Sequence, residues 1–189
     1  MRYLILSSLL LLGGCARPGS SIEDRSALLH KKQLQIAFVP MQNRLETSFS
    51  QDASSSFSQA ILNRLEQKNH LIPLSELDSI AKAQQAKIPF LVSTHLIQHE
   101  EITTHPTELA IGIYLQIIDL RSGSAQVLYQ EVVTHNTLLP KPLSKDLPLS
   151  WNDPSFRTSP IGLAYSKVSR EIAGYIEDYI FHALQGEHQ

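Results

Sequence analysis

The chain has a single cysteine, Cys15, and its surroundings suggest covalent chemistry. Gly13 and Gly14 precede it, and before them come Arg2 and a largely apolar stretch at residues 3–12. A positive residue, a short apolar segment and small residues are typical of a secretory signal. Because no second cysteine exists, an intramolecular disulfide is impossible. The candidate chemistry at this position is therefore a modification of the thiol.

The run Leu12-Gly13-Gly14-Cys15 resembles the lipobox of bacterial lipoproteins. The resemblance implies that the Cys15 thiol receives a diacylglyceryl group, that cleavage follows Gly14, and that the new amine is acylated. Residues 3–12 would span about 15 Å as a helix, roughly half of the hydrocarbon layer, which is too short for a transmembrane segment. Two or three acyl chains give a stable anchor, since each buried methylene contributes about 0.8 kcal/mol. The expected lipid partner is the bilayer.

The eight histidines of the chain suggest a metal site as a second kind of chemistry. His95 and His99 share one face of a predicted strand, but four residues of strand separate them by about 13 Å. Zinc needs each ligand nitrogen at about 2.1 Å, so these two cannot share an ion unless the strand breaks. His105 and His135 could complete a cluster only with a favourable register. We predict no metal and no cofactor, and keep a small-ligand or metal-binding domain as the alternative function.

Two polar patterns resemble parts of catalytic motifs, but the other residues that those motifs require are missing. Ser79 and Lys82 match the Ser-x-x-Lys pattern of penicillin-recognising serine enzymes, but the chain has no Lys-Thr-Gly sequence, so the polar face of a helix is favoured. The adjacent Glu100 and Glu101 point to opposite faces of a strand and are not paired for acid–base catalysis. The sequence also has neither a Gly-x-Ser-x-Gly elbow nor a phosphate-binding glycine loop. We therefore predict that the protein is not an enzyme.

The proline-rich segment 136–158 is the remaining candidate site. It contains the only tryptophan of the chain, Trp151, with Asn152 directly after it and Phe156 nearby. Large aromatic rings beside amide and carboxylate groups suit a protein contact or a glycan-stacking surface. In the alternative interpretation, Trp151 and Phe156 fold back over the sheet and close its core. The candidate partner-binding residues are Trp151, Asn152 and Phe156.

Hydrophobic periodicity indicates the elements that position these residues. Alternating aliphatic residues predict strands, and apolar residues spaced by three or four predict helices. The pattern indicates the order β-α-β-α-β-β-β-α, an α/β (α+β) fold with a mixed sheet of about five strands in a three-layer or two-layer sandwich. The predicted elements are a strand at 34–40, a helix through Ala53, Phe57, Ile61 and Leu65, an edge strand at 71–74, a helix opened by Ser75 and Asp78, strands at 90–99, 108–119 and 125–135, and a helix at 160–184 capped by Ser159.

Length and charge indicate the domain organisation. We expect a signal peptide at residues 1–14, the lipidated cysteine with a flexible tether at 15–33, and one globular domain at 34–186. Without Arg2, 15 basic side chains remain against 18 acidic ones, which gives a formal charge of −3. A charge so close to neutral is not typical of proteins that bind nucleic acid, so we predict no nucleic-acid partner.

Short motifs in the domain resemble one superfamily of envelope proteins. They are the strand sequence IAFVP at 36–40 with Asn43 downstream, and the strand end IID at 117–119 before the Ser-Gly turn at 122–123. Over about residues 34–134 the chain resembles the superfamily that contains the amino-terminal domain of TolB, the curli secretion-channel lipoprotein and the lipoprotein activator of penicillin-binding proteins. It also resembles uncharacterised chlamydial lipoproteins. The chain is too short to hold the long membrane hairpins of the curli channel beside this core.

The resemblance implies a function as well as a fold. It implies a non-catalytic envelope lipoprotein whose domain faces the periplasm and binds another envelope protein, either through a sheet edge or through the Trp151 loop. Ala16 follows the predicted lipidated cysteine. By resemblance to lipoprotein sorting in enteric bacteria, a residue other than Asp at that position favours the outer membrane over the cell membrane.

Overall fold

Nine helices and strands form within the part of the chain that the computed structural model describes, which comprises residues 33–45, 48–68, 70–102, 106–140 and 149–186. Cys15, the predicted tether and His105 lie outside these residues. The strands are β1 (Leu34–Asn43), β2 (Leu71–Leu74), β3 (Phe90–Ile102), β4 (Glu108–Asp119) and β5 (Gln126–Leu138). The helices are α1 (Ser48–Glu66), α2 (Ile80–Gln85), α3 (Pro154–Thr158) and α4 (Pro160–Gln185).

The five strands form one mixed sheet in the order β2-β1-β3-β4-β5. β1 is parallel to both of its neighbours, and β3, β4 and β5 form an antiparallel meander. β2 lies at an edge, where Pro73 is tolerated because its missing N–H is not needed by a further strand. The predicted mixed α+β fold with about five strands is confirmed.

Alternation in β4 builds the centre of the hydrophobic core. The five aliphatic side chains at every second position are fully buried against the helices: Leu109, Ile111, Ile113, Leu115 and Ile117. The apolar face of α1 packs over β1, β2 and β3 and belongs to the same core cluster, and all four predicted positions are buried, namely Ala53, Phe57, Ile61 and Leu65. The alternating positions of β4 and the four-residue spacing of α1 thus contribute to one hydrophobic core.

The last helix, α4, begins where the sequence predicts. The Oγ of Ser159 accepts a hydrogen bond from Gly162 N at 3.1 Å, and Pro160 occupies the first helical position. α3, which the sequence did not reveal, ends directly before this cap. A Cβ atom on Gly162 would lie 2.0 Å from the carbonyl oxygen of Phe156, so only glycine allows α3 and α4 to approach this closely.

The second helix, α2, begins later than predicted. Ser75 and Glu76 lie in a turn after β2 instead of opening the helix, so the proposed Ser75–Asp78 capping box is wrong. The cap is Ser79, whose Oγ accepts a hydrogen bond from Lys82 N at 3.3 Å. The Lys82 ammonium pairs with Asp78 at 2.9 Å. Helix capping therefore accounts for the Ser-x-x-Lys spacing.

The two faces of the sheet are covered unequally. α1 and α4 pack along one face, and the core cluster there also includes Phe156 of α3. On the other face, α2 covers only one end, where Ala83 and Ile88 pack against residues of β1, β3 and β4. We call the remainder of that face the open sheet face: Ser93, His95, Tyr114, Gln116, Gln130 and Val132. None of the helices in the described ranges is long and apolar enough to span a membrane.

Candidate functional site

The aromatic residues of the predicted contact loop lie largely inside the protein. Trp151 and Phe156 are 7% and 2% exposed and belong to the core cluster. The Phe156 ring meets the Tyr165 ring edge-on at 5.4 Å, and Tyr165 stacks on Phe57 at 3.8 Å. Asn152 is exposed. The two rings therefore close the core as in the lid interpretation, and the role of the three residues in partner binding stays a prediction.

A buried serine on α1 holds this loop in place. The Oγ of Ser56 accepts a hydrogen bond from Trp151 N at 3.2 Å and donates one to the carbonyl oxygen of Leu149. One hydroxyl thus satisfies backbone groups on both sides of Ser150 and fixes the tryptophan against α1. The sequence does not single out Ser56, because nothing distinguishes it from the serines at positions 54 and 55.

Although Trp151 is mostly buried, it lines a surface groove of about 350 Å³ between α1, α3 and α4. We call this the Trp151 groove, and the residues that give it its character are Asn63, Arg64, Gln67, Trp151, Arg157 and Ser166. Arg64 is half-buried, and its Nη2 donates a hydrogen bond to Ser166 Oγ at 2.8 Å across the two long helices. The groove therefore joins a positioned guanidinium to an aromatic wall.

The charge of the Trp151 groove is positive. Two guanidinium groups, those of Arg64 and Arg157, line it, and no Asp or Glu side chain in the described residues lines it with them. Three basic side chains elsewhere in the described residues are paired with carboxylates: Lys68 with Glu177, Lys82 with Asp78 and Arg121 with Asp119. Guanidinium groups bind carboxylates and phosphates with two parallel hydrogen bonds. The chemistry of the groove is therefore that of an anion site.

The two central histidines lie on opposite faces of the sheet, so the prediction that they share one face is wrong. The pairing of β3 with β4 shifts between Leu96 and Gln98, and this irregularity inserts a residue into the alternation. His99 consequently faces the helices, where its Nε2 is hydrogen-bonded to Tyr165 Oη at 2.7 Å. His95 faces away from them, with its ring 5.7 Å from that of Tyr114.

Burial changes the pKa of His99. Desolvation lowers the pKa of His99 from 6.5 to about 4, so the ring is neutral at physiological pH. Burial likewise raises the pKa of its partner Tyr165, which keeps the hydroxyl protonated. The pair is a neutral hydrogen bond within the core. Across the described part of the chain, no three His, Cys, Asp or Glu side chains lie close enough to hold a metal ion.

The family described as "Family of unknown function (DUF7499)" matches residues 73–184, which is more than half of the chain. The chain belongs to this family. The matched region runs from β2 to the end of α4, so this member of DUF7499 carries Trp151 and Arg157 within the family region and Arg64 before it. A comparison with curated proteins finds no match.

Several solved structures share the fold of this DUF7499 member. The hypothetical protein CT253 from Chlamydia trachomatis aligns with 19% identity and a TM-score of 0.65, over 78% of this chain and 98% of that one. Protein XCC0632 from Xanthomonas campestris, of family DUF330, aligns with 9% identity and a TM-score of 0.55, over 82% and 91%. A point variant of the PelC dodecamer from Paraburkholderia phytofirmans aligns with 14% identity and a TM-score of 0.51, over 76% and 88%.

These identities establish likeness of fold alone. The similarity to a chlamydial protein confirms the fold that the sequence resemblance implies. The lipobox and the lipidation of Cys15 stay predictions, because that residue lies outside the described part of the chain.

The motif residues that suggested the superfamily have structural roles in this member. Asp119 at the end of β4 accepts hydrogen bonds from the backbone and the guanidinium of Arg121, and these bonds lower the pKa of its carboxyl group. The same guanidinium reaches the carbonyl oxygen of Ala183 in the last turn of α4 at 3.2 Å. At the other end of the motif set, Asn43 Oδ1 accepts a hydrogen bond from Leu45 N at 2.8 Å. The motif therefore ties the sheet end to α4.

Proposed function

We propose that this chain is an envelope lipoprotein, anchored through acylated Cys15, whose folded domain binds another envelope protein and catalyses no reaction. The observation that carries the proposal is the run Leu12-Gly13-Gly14-Cys15 after a positive residue and a short apolar segment. The domain faces the periplasm. Ala16 favours attachment to the outer membrane over the cell membrane.

The anchor limits where the partner can be. Seventeen residues, 16–32, separate Cys15 from the described domain. Even fully extended, such a segment reaches only about 55 Å. The partner must therefore present its binding surface within a few nanometres of the membrane that holds the lipid.

The Trp151 groove supports binding of a protein. Trp and Arg are the residue types most enriched among those that dominate binding energy in protein interfaces. Here a tryptophan held by Ser56 lies beside Arg64 and Arg157 in one concave surface. Side chains that are already fixed lose less entropy on binding.

Lipidation is tested by metabolic labelling. Labelled palmitate is expected to enter the wild-type protein and not the Cys15→Ser variant, and the wild type is expected in the membrane fraction. Equal labelling of both proteins would contradict the anchor.

Partner binding is tested by crosslinking in living cells. An amine-reactive crosslinker is expected to join the wild-type protein to one envelope protein in constant proportion, and the Cys15→Ser variant should lose this product because it leaves the membrane. If no envelope protein is recovered above that control, the binding function is wrong even if lipidation is confirmed.

A further inference from the structure

We propose that the Trp151 groove binds an acidic peptide segment of the partner protein, with carboxylates held by Arg64 and Arg157. This inference rests on the proposed function, since it names the chemistry of the partner. The charge of the groove is positive, although the overall formal charge of the protein is slightly negative.

Arg64 is positioned before any ligand arrives. Its hydrogen bond to Ser166 Oγ, at 2.8 Å, connects α1 to α4 and orients the guanidinium plane. A guanidinium has five N–H donors, so this bond leaves others for a carboxylate. Because the long side chain is already ordered and half-buried, the entropy cost of holding an anion is reduced.

Arg157 is held by the short helix that carries it. α3 is capped by Asp153, whose Oδ1 accepts a hydrogen bond from Ser155 N at 2.8 Å. Its other end lies against α4 at Gly162, where a Cβ atom would collide with the backbone. Hydrogen bonds from Ser155, together with the nearby charge of Arg157, lower the pKa of the Asp153 carboxyl group, so it remains charged. It accepts hydrogen bonds from Ser155 N and Oγ and does not line the groove. The Arg157 side chain is exposed toward solvent.

Neutral amides in the same groove favour a peptide over a bare anion. Asn63 is on α1 and Gln67 lies directly after its last residue, where Gln67 N still donates a hydrogen bond to the carbonyl oxygen of Asn63, so the two side chains lie about one turn apart. Each amide has a donor and an acceptor, as the backbone of an extended peptide requires. The edge of Trp151 offers apolar contact to an intervening side chain. A volume of about 350 Å³ fits a short segment.

The test uses the full-length lipidated protein purified in detergent and a fluorescent polyglutamate peptide, with polyglutamine as the neutral control peptide. Polyglutamate is expected to bind with an affinity that falls as salt increases, and polyglutamine at least about tenfold more weakly. Arg157→Gln should weaken polyglutamate binding about tenfold, because charge-assisted hydrogen bonds are lost. Arg170→Gln is the matched control, since it removes the same charge from an exposed position of α4 outside the groove.

Several outcomes would overturn the inference. If Arg170→Gln weakens polyglutamate as much as Arg157→Gln does, the binding is diffuse attraction and the groove is not the site. If phosphatidylglycerol vesicles bind in an Arg157-dependent way and polyglutamate does not, the groove holds a lipid phosphate. If Arg157→Gln instead dissociates a homodimer, its occupant is a second copy of the chain. A circular dichroism spectrum of each variant checks that the exposed substitutions leave the fold intact.

Crosslinking in cells separates this inference from the proposed function. If the wild type and Arg157→Gln recover the same envelope protein with equal yield, partner binding is correct and the groove assignment is wrong. If neither recovers an envelope protein, the proposed function itself fails, whatever polyglutamate does. Support for both requires that Arg157→Gln, and not Arg170→Gln, reduces the yield, and that the crosslinked partner peptide is rich in Asp or Glu.

Discussion

The two faces of the sheet differ in what covers them, and strand β3 presents one histidine to each. His99 lies beneath the long helices with Tyr165, whereas His95 lies on the open sheet face beside Tyr114. Two helices of 19 and 26 residues cover the first face, and a helix of only 6 residues covers one end of the second. The same strand therefore serves a dry core on one side and a polar surface on the other.

This difference indicates where stability resides and where binding can take place. The open sheet face carries apolar side chains singly, such as Val132 between Gln130 and Thr134, which is normal for a protein surface. The Trp151 groove, by contrast, lies at the rim of the covered face, where α3 and the loop before it meet α1 and α4. The helices of the covered face thus hold the proposed binding site in place, and a partner can bind there while the core stays covered.

The largest expected effect is a difference in the stability lost when a side chain is truncated on each of the two faces. Phe57→Ala removes a fully buried ring that stacks on Tyr165 at 3.8 Å, and should lower the free energy of unfolding by about 3–5 kcal/mol. Val132→Ala removes atoms from a side chain that is 46% exposed, and should change the free energy of unfolding by less than about 1 kcal/mol. Urea unfolding followed by circular dichroism measures both. Similar losses at the two positions would contradict the difference between the faces.

The second prediction concerns pH and His99. Its pKa is about 4 in the folded protein and 6.5 when unfolded, so between these values the unfolded chain binds more protons. The stability that the neutral ring contributes is fully present above pH 6.5 and is lost as pH falls toward 4. With about 1.4 kcal/mol for each pKa unit, the loss is of order 3 kcal/mol. Urea unfolding at a series of pH values measures it.

A variant at His99 tests the origin of this slope. His99→Leu removes the titrating ring and should flatten the dependence of stability on pH between 6.5 and 4. His95→Leu is the matched control from the open sheet face of the same strand; burial lowers the pKa of His95 as well, but that side chain is outside the helix-covered core, so a smaller change in slope is expected. If the His99→Leu protein keeps the full slope, other groups are responsible.

The third prediction compares two glycines of α4. Gly162→Ala would place its Cβ against the backbone of α3, and should destabilise the protein by about 1–3 kcal/mol and displace Arg157. Gly174→Ala meets nothing within 4 Å and should stabilise the helix by about 0.5–1 kcal/mol. Thermal unfolding is expected to show shifts of opposite sign. Two shifts of the same sign would mean that the contact between α3 and α4 is not tight.

The sequence reveals the covered face well because its signals are local and periodic. Alternation in β4 and fourfold spacing in α1 identify the residues that meet in the core. It misplaces His95 and His99 because a one-residue irregularity in β3 reverses the alternation. β3 itself contains no Gly or Pro at that point, and the glycine that faces the irregularity, Gly112, lies on the neighbouring strand β4. The sequence also starts α2 too early, since Ser75 and Ser79 offer equivalent caps and only the turn after β2 decides between them.

The groove could not be predicted in the same way. Arg64 lies on α1, 102 positions before Ser166, whereas Arg157 and Ser166 lie on the consecutive helices α3 and α4. Each of the three alone is an ordinary polar residue of a helix. A single tryptophan in a proline-rich segment stands out in the sequence, but the sequence does not show whether its ring faces solvent or core. The hydrogen bond that holds this residue, from Trp151 N to Ser56 Oγ, spans 95 positions. Sites assembled by tertiary packing leave little trace in local patterns.

The smallest expected effect tests whether the open sheet face is truly uncovered. Leu138 is 60% exposed on the same side of β5 as Val132. Leu138→Ser should change the free energy of unfolding by no more than about 0.5 kcal/mol, because the side chain has little contact to lose. The measurement is made at two protein concentrations that differ about a hundredfold. A loss that grows with protein concentration would mean that a second copy covers this face, since only association makes stability depend on concentration. A large loss that is equal at both concentrations would mean that the Leu138 side chain is packed within its own chain. An unchanged value at both concentrations leaves the Trp151 groove as the surface on which binding should be sought.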